Sequence, residues 1–193
     1  PGAVQQTVQT KLEQYISAKD FGAVGDGVTD DTVALQAFLD ACQDGRGYIP
    51  PGIYNISSAL ILQPQYSYNI EGACYDNQGA AGTVIVNTGT GNAIELDNEP
   101  YSPPNFDSEI RFAHLVVDGN SGSQNGFFVR HAMIHLEYVW CRDHGTNGIW
   151  LERGYSSSFR QVVCANNNEN GMFVRIAGNA LHIDHCVFNG NGT

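Results

Sequence analysis

The chain has 193 residues, enough for one domain with a sizeable buried core. Twenty acidic against nine basic residues give a formal net charge of −11. That excludes nucleic acid or an anionic membrane as the expected partner, since both need a surface rich in Lys and Arg. No apolar run approaches the roughly 20 residues that cross a bilayer, so no membrane insertion is expected. No Cys/His spacing resembles a zinc site, and neither metal nor cofactor is expected.

Val4, Val8, Leu12, Tyr15 and Ile16 recur at intervals of three and four, which predicts a short amphipathic helix. Residues 1–18 read as a neck helix or linker and 19–193 as the folded domain. A lone helix this short is marginal in water, so its stripe must pack on the domain or against copies of itself. From Lys19 to Thr32, three glycines and several Asp predict a tight loop, in which Thr29, Asp30 and Asp31 supply the cap and acidic first turn of a helix. Its spacing fits no calcium-loop template. The helix runs to about Ala41, with Val33, Ala34, Ala37, Phe38 and Ala41 on one side, placed to cover the open end of a solenoid.

Gly45 to Tyr54 reads as strand, proline-set turn and strand, and further strands are expected at 59–62, 68–70 and 83–86. This opening, Lys19 to Thr32 continued through Ile49-Pro50-Pro51-Gly52-Ile53-Tyr54, resembles the start of the pectate-lyase-like superfamily of right-handed parallel β-helices. That group includes polygalacturonases, alginate epimerases and bacteriophage tailspikes. The segment Gly2 to Leu12 resembles the neck that joins the virion-binding part of tailspikes to their β-helix.

The second half repeats itself. Asn125-Gly126, Asn147-Gly148, Asn170-Gly171 and Asn191-Gly192 recur at spacings of 22, 23 and 21, and Cys141, Cys164 and Cys186 follow the first three by 16 or 17 residues. A fixed period of this length with strand-like runs predicts a parallel β-solenoid, one coil per repeat. The fold class is therefore all-β: a right-handed single-stranded parallel β-helix with a neck helix and a capping helix. Five cysteines, three of them repeat-equivalent, point to stacked buried thiols rather than disulfides, and to folding in a reducing cytoplasm. Pro1 is no initiator, and Asn189 to Thr193 breaks off as another coil should begin, so a piece of a longer protein is expected.

Alternation puts Ile94/Leu96, Phe127/Val129, Ile149/Leu151 and Met172/Val174 inward, and Glu95, Phe128, Trp150 and Phe173 outward, with Asp97, Arg130, Glu152 and Arg175 beside them. A second strand aligns Ile110, Leu136, Phe159 and Leu181 inward and Arg111, Glu137, Arg160 and His182 outward. Asn98 to Ser108 should loop out. Outward aromatics in a row need a partner: another subunit, an overlying loop, or sugar rings. The ladder Asp97, Arg130, Glu152, Arg175 supports rung-to-rung pairing, or else an acidic-sugar site in which Arg130 and Arg175 hold carboxylates. Glycosidase chemistry needs two carboxyls about 5 to 9.5 Å apart. Glu137 and Asp184, two coils apart, are the nearest candidates; His182, His185 and His144 nearby read as turn or surface histidines. The Asp-Pro-His triplet of alginate epimerases and the Asn-Thr-Asp and paired-Asp motifs of polygalacturonases are absent from these residues.

The resemblance implies a homotrimeric phage tailspike in the virion tail, assembled in the host cytoplasm and joined to tail or baseplate proteins. It would bind host surface polysaccharide (capsule or lipopolysaccharide) and depolymerise it as glycosidase or lyase. A non-catalytic receptor-binding tail protein and a cellular polysaccharide lyase or epimerase remain the alternatives.

Overall fold

In a strand, side chains alternate between two faces, so a coil whose apolar residues alternate can bury one set only by stacking on a copy of itself. The computed structural model describes residue 7 and residues 16–74, 82–97, 108–177 and 180–192. The elements in chain order are β1 (Ile16–Ser17), a 3₁₀ turn (Ala18–Phe21), β2 (Asp26–Asp30), α1 (Thr32–Ala41), β3 (Gly45–Ile49), β4 (Gly52–Ile56), β5 (Leu60–Ile61), β6 (Tyr68–Gly72), β7 (Thr83–Asn87), β8 (Ile94–Asp97) and β9 (Glu109–Asp118). They continue with β10 (Phe127–Arg130), β11 (Met133–Arg142), β12 (Ile149–Gly154), β13 (Ser158–Arg160), β14 (Val163–Ala165), β15 (Met172–Ala177), β16 (His182–Asp184) and β17 (Val187–Asn189).

Every strand pairing is parallel. One sheet follows the order β15-β12-β10-β8-β5; the other has 12 strands and curls over two faces, because β9 and β11 each run along both. The bend lies at His114 and Tyr138, whose φ angles are 58° and 53°. Gln161 and His185 repeat it in the following coils, with φ 51° each. Left-handed backbone costs a non-glycine residue about 1–2 kcal/mol. In these four coils it turns the chain from one face to the next. Nothing in the types His, Tyr, Gln and His announces such a corner. The next corner carries Asp143, Asn166 and Gly190 in the same conformation, and these are ordinary turn residues.

The corner ahead of the five-stranded sheet explains the Asn-Gly repeat. Asn125 Nδ2 donates to Asn92 Oδ1 at 2.8 Å, Asn147 to Asn125 at 2.9 Å, and Asn170 to Asn147 at 2.8 Å. Asn92, Asn125 and Asn147 are buried, where an unpaired amide is costly, so the chain of side-chain bonds fixes the stacking of the coils. A Cβ at Gly126 would stand 2.6 Å from the Gly148 carbonyl, leaving no room for a side chain. Asn191 does not join this ladder. It lies a corner away, where it accepts from Asn167 Nδ2 at 2.8 Å.

Other expectations are corrected. Ile16 is in β1, paired with β3, so the neck helix does not extend to it; apart from Thr7 and 16–18, the neck lies outside the described residues, as does the loop at 98–107. Asp26–Asp30 is strand, and Asp31 makes no side-chain cap. Its buried carboxylate instead reaches back to the Val24 and Gly25 amides at 2.6 and 2.9 Å. The helix buries Leu35, Phe38 and Leu39, while Val33 is 82% exposed. Phe38 approaches β3 where Gly47 has no side chain to obstruct it. Cys141 and Cys164 stack in register, but Phe188, not Cys186, follows them. On the 12-stranded sheet the inward row is Phe112, Leu136, Phe159 and Ile183, two residues away from the expected positions at its first and last coils. All five cysteines are free.

Candidate functional site

On the five-stranded sheet the expected register holds. Phe128 pairs with Glu95 and Trp150, and Trp150 with Phe173; Arg130 pairs with Asp97 and Glu152. The inward residues Ile94, Leu96, Phe127, Val129, Ile149 and Leu151 are fully buried. With that side anchored, the strip opposite is held rigidly on parallel rungs about 4.8 Å apart.

The rings turn out to be spent partly on one another. Phe128 and Trp150 lie 4.5 Å apart at 17°, and Trp150 and Phe173 6.2 Å apart at 34°. Rings stacked along the solenoid axis turn their faces to their neighbours and their edges to solvent. The outward row is thus a ridge of edges rather than a flat platform, with Phe173, 38% exposed, its most open ring. The Arg130 guanidinium lies beside the stack, 5.3 Å from the Phe128 centroid and 5.6 Å from that of Trp150.

Beside the ridge runs the charged row. Arg130 Nη1 donates to both Asp97 oxygens at 3.1 and 3.2 Å, and its Nε lies 3.4 Å from Glu152 Oε2. Arg175 Nη1 reaches the same Glu152 oxygen at 3.1 Å, although a bulge after Leu151 displaces Arg175 from the row. Glu152 is buried, so two guanidiniums offset its desolvation. Glu95 accepts from Asn92 Nδ2 at 2.8 Å. Of the two readings the sequence allowed for the charged row, rung-to-rung pairing is the one seen in the structure.

Glu137 and Asp184 stand on a different face. Both lie in one outward row of the 12-stranded sheet, two rungs apart with Arg160 between them. Glu137 is held by Arg111 at 3.1 Å and Arg160 at 3.4 Å; Asp184 sits 2.7 Å from His185. Arg160 occupies the rung between the two carboxyls, beside Glu137. Arg111 and His182, expected in that row, belong to the neighbouring one with His135 and Ser158.

His144, expected in a turn or at the surface, is fully buried. It fills the corner position that Asn167 and Asn191 fill in the next two coils. Nε2 lies 3.2 Å from the Val117 carbonyl and Nδ1 2.9 Å from Ser123 Oγ, just as Asn167 and Asn191 donate to the carbonyls of Cys141 and Cys164. Burial pushes its pKa down to about 4, against the opposing pull of the Val117 carbonyl and Asp118. A neutral imidazole bonded on both nitrogens is a structural member of the corner. Among the described residues no group of three or more His, Cys, Asp and Glu could hold a metal ion, and no helix is long and apolar enough to cross a membrane.

Residues 15–193 match the family described as rhamnogalacturonase A/epimerase, pectate lyase-like. Mannuronan C5-epimerase AlgE1 of Azotobacter vinelandii is 35% identical over 151 residues, 71% of this chain and 10% of the epimerase. Among solved structures, ORF18 of Geobacillus virus E2 superposes with a TM-score of 0.71 at 20% identity, covering 95% of this chain and 40% of that one. The Agl-KA catalytic domain gives 0.66 at 20% identity, covering 99% and 34%. The chain spans about a tenth of the length of that epimerase and less than half of either solved chain.

Proposed function

The chain belongs to the rhamnogalacturonase A/epimerase, pectate lyase-like family, and we propose that it is part of a phage tailspike whose five-stranded sheet binds host surface polysaccharide. One observation carries this reading: an apolar ridge, Phe128-Trp150-Phe173, runs beside hydrogen-bonding groups, Asp97, Arg130 and Glu152 at the rung interval and Arg175 paired to Glu152 across a bulge. A strip of that kind suits an extended polymer whose residues each offer an apolar surface and several hydroxyls. The likeness to a viral protein supports the phage setting, and that to a mannuronan epimerase supports a polysaccharide as ligand. In this reading α1 closes one end of the solenoid, three copies assemble through the neck, and tail or baseplate proteins hold the assembly. Any depolymerase activity, as glycosidase or lyase, belongs to the whole protein and uses groups other than Glu137 and Asp184, whose intervening arginine separates them.

A second reading has an observation of its own. Rings stacked face to face with their edges outward also suit burial against another copy. Incubating the whole protein with capsule or lipopolysaccharide, measuring binding and sizing the products, separates the readings when repeated with Trp150→Ala. Weakened binding with unchanged assembly mass supports the saccharide strip. Loss of assembly with undiminished binding supports subunit burial. An unbound, unchanged polymer across candidate hosts counts against the tailspike.

A further inference from the structure

Building on the polysaccharide-binding reading, we infer that the ligand is an uncharged, hydroxyl-bearing polymer, not a uronate or otherwise anionic one. The alternating row invites the opposite conclusion, because Arg130 and Arg175 look suited to capturing sugar carboxylates. The geometry removes that option. Arg130 already bridges both oxygens of Asp97 and approaches Glu152, and Arg175 is paired with Glu152. An incoming carboxylate would have to share each guanidinium with an acid already fixed on a neighbouring rung, which costs no further ordering.

It would also enter an unfavourable field. The strip carries three carboxylates (Glu95, Asp97, Glu152) against two guanidiniums, and the whole chain bears −11. Like charges juxtaposed at an interface suppress the wrong partner. A hydroxyl meets no such penalty. A carboxylate oxygen engaged by an arginine keeps further lone pairs that can accept from a sugar O–H, and a guanidinium has five N–H groups, of which the internal pairs use only some. The internal pairing thus converts a charged row into rung-spaced donors and acceptors. Beside it, the aromatic edges offer contact to C–H surfaces.

The experiment is a binding panel on the whole protein: neutral glucan, mannan and galactan against polygalacturonate and polymannuronate, each at low and moderate salt. At least one neutral polymer should bind about tenfold or more tighter than either uronate at low ionic strength, where like-charge repulsion is least screened. Its affinity should change by less than about twofold on adding salt, because no counter-charge is being neutralised. Glu152→Gln, which removes one negative charge and the carboxylate partner of Arg175 while Arg130 keeps Asp97, should raise the uronate-to-neutral affinity ratio about tenfold, and Asp97→Asn, outside the buried position, should move it the same way. Preference of the unaltered protein for a uronate overturns this inference and leaves the polysaccharide strip standing. Failure of every polymer to bind the folded protein overturns both.

Discussion

Two outward faces of the same coils carry the same written pattern and do different things with it. On the 12-stranded sheet Glu137, Arg160 and Asp184 alternate in sign, and so do Asp97, Arg130 and Glu152 on the five-stranded sheet. The difference is burial. Glu137 is 29% exposed and its partner Arg160 61%, whereas the Glu152 side chain is 7% exposed between two arginines. Exposed pairs are screened and contribute little, while a buried acid is committed to its partners. Only the second face combines apolar contact with hydrogen-bonding groups fixed in place.

If burial is what separates the faces, effects should follow it. His144, fully buried, sets the upper end. Its pKa falls from 6.5 in the unfolded chain to about 4 in the folded one, so below 6.5 the unfolded state takes up the proton first. Stability is complete above about pH 6.5, declines as the pH falls toward 4, and levels off below that. The whole step amounts to about 3 kcal/mol at 1.36 kcal/mol per unit. His144→Asn, the residue type found at this corner in the next two coils, should remove the step, as the difference between the two proteins in urea unfolding between pH 7 and 4.

Glu152→Ala comes next. It leaves two arginines without their shared carboxylate and should lower stability by about 2–3 kcal/mol, read from the urea midpoint. Asn147→Ala removes two links of the ladder that serves both faces, leaving Asn125 Oδ1 with Thr146 Oγ1 as its side-chain donor and the exposed Asn170 amide to solvent. About 1 kcal/mol is expected, by the same measurement. Glu137→Ala, at the exposed end of the scale, should cost about 0.5 kcal/mol and leave saccharide binding unchanged. A Glu137→Ala loss as large as that of Glu152→Ala would erase the distinction between the faces.

Much of the fold was legible because the repeat is written in residues whose physics is local. Asn-Gly marks a corner with no room for Cβ, and alternating apolar residues mark the strands, so the five-stranded sheet came out in its true register from β8 to the start of β15. The 12-stranded sheet did not. Its corner is turned by His114, Tyr138, Gln161 and His185, whose left-handed backbone no residue type advertises, and without that marker the alignment slipped by two residues. A two-residue slip keeps inward residues inward, so the core survived the error while the outward neighbours did not. Arg160, not empty space, therefore stands between Glu137 and Asp184. The site rows were legible as a pattern. Rung-to-rung pairing was among the readings the alternating charges allowed, whereas the face-to-face rings and the bulge that shifts Arg175 depend on local conformation, which spacing alone does not determine.

The most direct test of the account is a titration of one bound polysaccharide against the unaltered protein, Phe173→Ala and Glu137→Ala. Phe173 is the most open ring of the ridge, and its removal leaves the buried side of the sheet intact. Phe173→Ala should weaken binding about tenfold or more, in keeping with about 1.4 kcal/mol of lost aromatic contact, and Glu137→Ala should stay within about twofold of the unaltered protein. The reverse outcome, with Glu137→Ala abolishing binding and Phe173→Ala sparing it, would contradict the account.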